Sequence, residues 1–406
     1  MRSTHGPARA WLAGALACLA SLATASAAPP PAAIQRLDGT RIGEDELSSR
    51  IEALRRRANV HGLAVAIFND GETVYNQVFG VKRTDTKEPL RTDTVFYGAS
   101  LSKAVFAVLV MRLVEDGVLA LDTPLVKYLD RPLSAFKASR PKAWHENLTD
   151  LESDPRHRAI TARMCLSHTT GLPNWRWYEP DQKLRILFEP GTRYSYSGEG
   201  LTFLQIVLQE ITKTSLEDLM REKVFGPYGM ATSSYTWQPR FETNFCHGHD
   251  TKGTVYPKDK DNAARSASTL ETTPDDYARF TRAVLRGDGL TPGSWKEMFS
   301  PQIRLRSKRQ FGPLSSETTA DHDDIELGYG LGWGVLRSPH GRGAFKEGHG
   351  DGFQHYSIVF PDRRLGVVIL ANSDNGESIF KELLELTIAD VYTPWEWQNY
   401  VPYDRR

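Results

Sequence analysis

The chain has 406 residues, with 50 Lys+Arg against 50 Asp+Glu, 40% hydrophobic and 25% charged. This is an ordinary globular composition, long enough to bury a large core, and it excludes a disordered or collagen-like chain. Zero net charge offers no electrostatic footprint for nucleic acid or for an anionic membrane, and the Arg55-Arg56-Arg57 run, with Glu44, Asp45, Glu46 and Glu52 nearby, reads as a solvated helix face.

Residues 1–27 read as an export signal. Arg2 and Arg9 form a positive n-region, residues 11–22 a short Ala/Leu-rich apolar core, and Ala25-Ser26-Ala27 an A-x-A cleavage site. The expected location is therefore periplasmic or secreted. The apolar stretch is too short to span a bilayer, and no later segment reaches roughly eighteen consecutive apolar residues, so no membrane span is expected. After cleavage only Cys165 and Cys246 remain. An oxidising compartment permits one bridge between them without requiring it. Cys165, next to Met164 and Leu166, reads as a small buried hydrophobe.

In chain order, residues 28–43 read as a linker and 44–57 have helical spacing. Residues 63–68 are an apolar, β-branched run; Asn69-Asp70-Gly71 signals a tight turn into an alternating strand over 72–80, making a hairpin. Residues 102–116 predict a helix that is apolar on every side between 104 and 111, hence buried, and Gly117 stops it. From 119 to 286 the pattern is helical or irregular, with helices over 201–212, 215–225 and 274–285, the last capped by Thr273 with Pro274 at its first position. Strands return at 328–336, 356–360 and 367–371; residues 378–391 close as an apolar helix, and in the C-terminal tail 393–406 the aromatic run 395–400 reads as a cap on the fold in preference to the rim of a partner site. The expected class is α/β (α+β): a central antiparallel sheet built from both ends of the chain and flanked by helices, in a discontinuous domain of residues 44–118 and 322–392, with a mainly helical domain inserted over 119–321.

Three features carry chemistry. The first is Ser100-Leu101-Ser102-Lys103 at the start of the buried helix. Positions i and i+3 share a helix face, so Ser100 and Lys103 can touch. An apolar surround lowers a lysine pKa and lets the amine serve as a base for a serine nucleophile. Taken alone, the motif fits an N-capping serine and a surface lysine better, since S-x-x-K arises often by chance in a chain of this length. The second is Tyr196-Ser197-Gly198 in a Gly/Ser loop before a helix. Its phenol can face a cleft, where a neighbouring ammonium is expected to lower its pKa, or it can pack its ring and bond locally. The third is Gly348-His349-Gly350-Asp351-Gly352, where small residues allow close backbone approach to a ligand and His349 can bind a carboxylate or move a proton; a glycine turn holding a satisfied histidine fits as well.

These features occur in the order found in the serine β-lactamase and penicillin-binding protein superfamily, whose better-known members carry S-x-x-K, S-D-N and K-T-G. The chain resembles the branch of class C β-lactamases, D-alanyl-D-alanine carboxypeptidases and related esterases, in which the second motif is Y-x-N and the third can be H-x-G. Leu166-Ser167-His168-Thr169-Thr170-Gly171-Leu172 and the glycine-punctuated Gly328-Tyr329-Gly330-Leu331-Gly332-Trp333-Gly334 resemble further segments of that branch, and the likeness runs from about residue 45 to 390. The resemblance implies a serine hydrolase in which Ser100 is acylated, Lys103 takes or relays the proton, and Tyr196 works with Lys103 as base before protonating the leaving group. It also implies an oxyanion hole from the N–H groups of Ser100 and Gly352, and neither a metal nor an organic cofactor. Gly198 stands where the branch usually has Asn, His349 where lactamases have Lys, and Asp351 where Gly is usual. These substrate-binding positions, with Gly350, favour neutral esters or amides over penicillins and peptidoglycan stem peptides. Glu199 is a nearby carboxylate that can assist.

The expected partner is a small-molecule ester, amide or peptide substrate, hydrolysed by an esterase or D-amino-acid peptidase more readily than by an efficient β-lactamase. An alternative is a penicillin-binding or sensing protein that is acylated at Ser100 without turnover. A metallohydrolase using His247-Gly248-His249-Asp250 or Asp321-His322-Asp323-Asp324 is disfavoured, because neither segment is an H-E-x-x-H helix.

Overall fold

The computed structural model describes residues 33–260 and 263–405, so the expected leader lies outside the described residues. Strand β1 (Ala33–Gln35) pairs antiparallel with β2 (Arg41–Gly43), and Ile34, Leu37 and Ile42 are buried. This corrects the expectation of a linker up to residue 43: apolar residues on both sides of a Gly39-centred turn tie the segment to the core. Helix α1 (Glu44–Arg57) follows, with three acids in its first turn and three arginines in its last, the arrangement its macrodipole favours.

Strands β3 (Gly62–Asn69) and β4 (Glu72–Gly80) form the expected hairpin. β5 (Phe96–Tyr97) leads into α2 (Leu101–Glu115), of which twelve residues are buried. The middle of the chain is short helices and 3₁₀ turns around α3 (Gly198–Thr212) and α4 (Pro274–Arg286), capped by Thr273 as expected. β6 (Glu271–Thr272) pairs with β5. Then come β7 (Ile303–Arg304), β8 (Gly328–Tyr329), β9 (Gly334–Ser338), β10 (Gly341–Gly350), β11 (Phe353–Phe360) and β12 (Leu365–Ala371), followed by α5 (Phe380–Ile388).

The main sheet has eight antiparallel strands in the order β4-β3-β12-β11-β10-β9-β8-β7. It is a mixed α/β fold with helices on both faces. On β3, Ala64, Ala66 and Phe68 join the core that contains α2 and α4, whereas Leu63, Val65 and Ile67 join the core of α1, α5, Trp395 and Trp397. Burial on both faces explains why this strand reads as a continuous apolar run. β10 falls outside the expected strands, because Gly341, Gly343, Gly348 and Gly350 have low strand propensity. The described chain contains no helix long and apolar enough to cross a membrane. Cys165 and Cys246 are both free and buried.

Candidate active site

The turn before α2 is tight. Ala99 takes a left-handed φ of +46°, a conformation costing a non-glycine residue on the order of 1 kcal/mol, and it delivers Ser100 at the helix N-terminus. Ser100 makes no capping bond with its side chain. Instead its Oγ lies 2.9 Å from Lys103 Nζ. Lys103 is fully buried, and its amine also donates to the Ala267 carbonyl at 2.7 Å. Burial, reinforced by the charge of Lys346, holds the Lys103 pKa well below the ordinary lysine value. The amine is thus available as a base.

Tyr196 approaches from the loop before α3. Ser197 caps that helix by accepting from Gly200 N, and Ser197 N in turn donates to His168 Nδ1 at 3.1 Å. The His168 ring packs 4.4 Å from the Tyr196 ring, and burial keeps this imidazole neutral. Tyr196 lines the same cleft as Ser100, and Lys103 Nζ lies 4.8 Å from the Tyr196 ring centre. The expected fall of the Tyr196 pKa is corrected: burial, with Glu347 adding to it, pushes the phenol well above its ordinary value, so Tyr196 is held as a proton donor.

A group not anticipated from the sequence completes the cluster. Lys346, fully buried on β10, donates to the Tyr196 hydroxyl at 3.0 Å and to Glu347 Oε1 at 2.9 Å. Glu347 also accepts from Gln310 at 2.9 Å. Burial alone would raise the Glu347 pKa, but the Lys346 ammonium draws it down to about 2. Lys346-Glu347-Gly348 has the K-x-G spacing. Gly348 is the position that packs on the nucleophile turn, since a Cβ there would lie 3.0 Å from Gly98 O and 3.2 Å from Leu101 N. The signal lies in the sequence three residues before His349, but without a strand expected over residues 341–350 nothing aims Lys346 at Tyr196.

This register changes the assignment of the second oxyanion donor. Gly352 N donates to Asp374 Oδ1 at 3.0 Å, and Gly352 packs against the backbone of Gly248 and His249; its N–H is therefore committed elsewhere. Gly350 pairs with Phe353 across the two-residue turn Asp351-Gly352, so Gly350 and Gly348 direct their N–H groups toward β11 and the alternating His349 N–H points to the opposite edge. β9 covers that edge only as far as Phe345. Beyond it the edge opens onto the cleft, which His349 lines.

That cleft has a volume of about 820 Å³ and includes Ser100, Tyr196, Glu347, Trp144, Trp175 and Trp177 among its lining residues. Gly198, Gly350 and Asp351 do not line it. A Cβ on Gly198 would sit 2.6 Å from the Trp175 ring, and one on Gly350 2.5 Å from the Tyr97 ring, so both glycines make room for aromatic side chains. Asp351 is exposed at the hairpin tip. The His349 side chain pairs with Glu377 at 3.3 Å. Burial lowers its pKa, but the bond to Glu377 and the charges of Glu377 and Glu347 together outweigh this, and the net shift is upward. Glu199 is not free to assist chemistry: it is buried and accepts from Arg176 N, Nε and NH2 at 2.8–2.9 Å. His249 bonds Asn372 O through Nδ1 and accepts from Thr84 N through Nε2, and among the described residues no three His, Cys, Asp or Glu side chains are grouped to hold a metal.

A cleft-lining serine bonded to a buried lysine, with a tyrosine beside them and a second lysine from the adjoining strand, defines a serine acyl-transfer site on a sheet flanked by helices. The Beta-lactamase family profile matches residues 47–389, and the chain belongs to that family of serine hydrolases. It is similar to penicillin-binding protein 4* of Bacillus subtilis (strain 168), with 24% identity over 374 residues, 84% of this chain and 74% of that one. It is also similar to esterase EstB of Burkholderia gladioli, with 26% identity over 367 residues, 79% of this chain and 87% of that one. Its fold is shared by the octameric penicillin-binding protein homologue from Pyrococcus abyssi, at a TM-score of 0.68 and 20% identity, covering 88% of this chain and 80% of that one.

Proposed function

We propose that the protein hydrolyses neutral esters or amides through an acyl-enzyme on Ser100. The observation that carries this reading is the 2.9 Å approach of Ser100 Oγ to a fully buried, pKa-depressed Lys103. Lys103, as the neutral amine, accepts the hydroxyl proton while Oγ forms the bond to the carbonyl carbon. The N–H groups of Ser100 and His349 hold the oxyanion, each such donor being worth roughly 2.7–4 kcal/mol in comparable sites. As the tetrahedral intermediate collapses, the bond to the leaving group breaks and Tyr196 gives that group its proton. Lys103 then returns its proton to the phenol. Water repeats the sequence on the acyl-enzyme, releasing the acid and restoring Ser100.

Glu347 supports neutral substrates. Its carboxylate stays ionised and already holds the Lys346 ammonium, which leaves that ammonium no unbalanced charge for the carboxylate that penicillins and stem peptides carry. A relative named as an esterase supports the same reading. The leader over residues 1–27 supports export to the periplasm or medium.

Intact mass spectrometry after treatment with a fluorophosphonate, and separately with penicillin, tests the proposal. The expected result is rapid labelling by the phosphonate, little by penicillin, and none in Ser100→Ala. Equal labelling of Ser100→Ala removes Ser100 as nucleophile, and a stable acyl adduct without steady-state turnover of any ester replaces the hydrolase with a sensor.

A further inference from the structure

The aromatic wall of the cleft is assembled on purpose-built contacts. Trp175 and Trp177 stack at 4.8 Å with 9° between their planes, and Trp144 stands edge-on to both at 5.9 and 4.6 Å. The segment carrying the two stacked rings is anchored between them: Arg176 makes a buried bidentate pair with Glu199 and lies 5.3 Å from the Trp144 ring centre. Asn174, just before Trp175, is held as well, its side-chain and main-chain oxygens both accepting from Gly198 N. Such a wall meets a ligand without paying for its own ordering.

The wall also reaches the nucleophile. The Trp175 ring centre is 5.6 Å from Lys103 Nζ, and Trp175 lines the cleft together with Ser100 and Tyr196. Gly198 is what admits it, because a side chain there would occupy the space of the indole edge. Trp177, at 42% exposure, and Tyr178, at 69%, extend the aromatic surface outward along the same cleft. Opposite in chemistry is Glu347, whose Oε2 is buried without a hydrogen-bond partner.

We propose that the cleft selects carboxylate-free esters or amides bearing a planar aromatic ring, which lies against the Trp175–Trp177 wall beside Ser100. This rests on the acyl-transfer reading above. Aromatic contact is distinguished from plain apolar burial by the ring quadrupole, which favours offset or edge-on pairing with another aromatic ring and adds to area burial.

The test measures kcat/KM by proton release for two matched pairs: benzyl acetate against cyclohexylmethyl acetate, and methyl phenylacetate against methyl cyclohexylacetate. Each is measured in wild type, Trp175→Leu and Trp177→Ala, with phosphonate labelling of Ser100 run alongside. In wild type the aryl member of at least one pair is expected to be faster by roughly 3–10-fold. That preference is expected to vanish in Trp175→Leu and to shrink in Trp177→Ala. Equal rates within both pairs in wild type overturn the proposal, as does a preference that survives in a labelled Trp175→Leu. Should Trp175→Leu not fold, an undiminished preference in the exposed-site variant Trp177→Ala overturns it. Absent labelling in wild type overturns the acyl-transfer reading itself, and this proposal with it.

Discussion

Lys346 Nζ stands 3.0 Å from the Tyr196 hydroxyl and 2.9 Å from Glu347 Oε1, so one buried ammonium links the phenol of the second motif to a carboxylate of its own strand. Removing it as Lys346→Met disorients the phenol and leaves Glu347 charged, buried and unpaired. Activity is expected to fall by roughly 10²–10⁴, with a stability loss of about 3–5 kcal/mol. Lys346→Met combined with Glu347→Gln recovers the melting temperature and not the activity. Thermal unfolding beside ester kinetics separates the two effects.

The acid limb of kcat/KM reports Lys103. Its folded pKa is depressed, so the neutral amine is present above that pKa and is lost as pH falls through it. The limb is therefore expected well below the ordinary lysine range. Because the Lys346 charge is one cause of the depression, Lys346→Met moves the limb to higher pH; a limb unmoved by that change assigns the titration to another group. Phosphonate labelling rates measured against pH read the same limb where turnover is weak.

Arg176→Met leaves the buried Glu199 carboxylate without its bidentate partner. A loss of about 3–5 kcal/mol in urea unfolding is expected, together with a drop in tryptophan fluorescence anisotropy as the Trp175 and Trp177 segment loosens. An unchanged unfolding midpoint refutes the anchoring role of this pair.

His349 gains its raised pKa from Glu377. A group whose folded pKa exceeds its unfolded one stabilises fully below the unfolded value, about 6.5 for imidazole, and loses that contribution as pH rises through the folded value. Glu377→Gln should therefore lower the melting temperature most in acid, and the difference should close above the folded pKa. A His349 titration followed by NMR should move downward in the same variant.

Both thiols are buried, and burial raises their pKa values. Iodoacetamide is expected to leave Cys165 and Cys246 unmodified in the native protein and to modify both after denaturation, with no effect of prior reduction.

What was legible in the sequence follows burial pattern. The hairpin of β3 and β4, helix α2 and the capped α4 announce themselves through apolar runs, a tight-turn dipeptide and cap residues. Ser100, Lys103 and Tyr196 were legible because each sits where a helix begins. β10 was not, since its identity as a strand comes from pairing with β9 and β11 rather than from its glycine-rich composition. With the strand went its consequences: the aim of Lys346, the competition of Asp374 for Gly352 N–H, and the outward N–H of His349. The aromatic wall was invisible for a different reason. Trp144 and Trp175 are far apart in sequence, and the Arg176–Glu199 pair, with the Gly198 N–H bond to Asn174, brings that segment to the cleft.

β3 and β12 lie side by side as the second and third strands of the sheet, although residues 62–69 and 365–371 are separated by most of the chain. A nascent polypeptide emerging from the ribosome holds α2 and its nucleophile long before β10 and β12 exist to receive them. Such non-local pairing is slow to form, so assembly of a reactive centre waits for nearly full synthesis. A fragment truncated before residue 341 lacks both the second lysine and the strand that seats the serine turn, and is born inert.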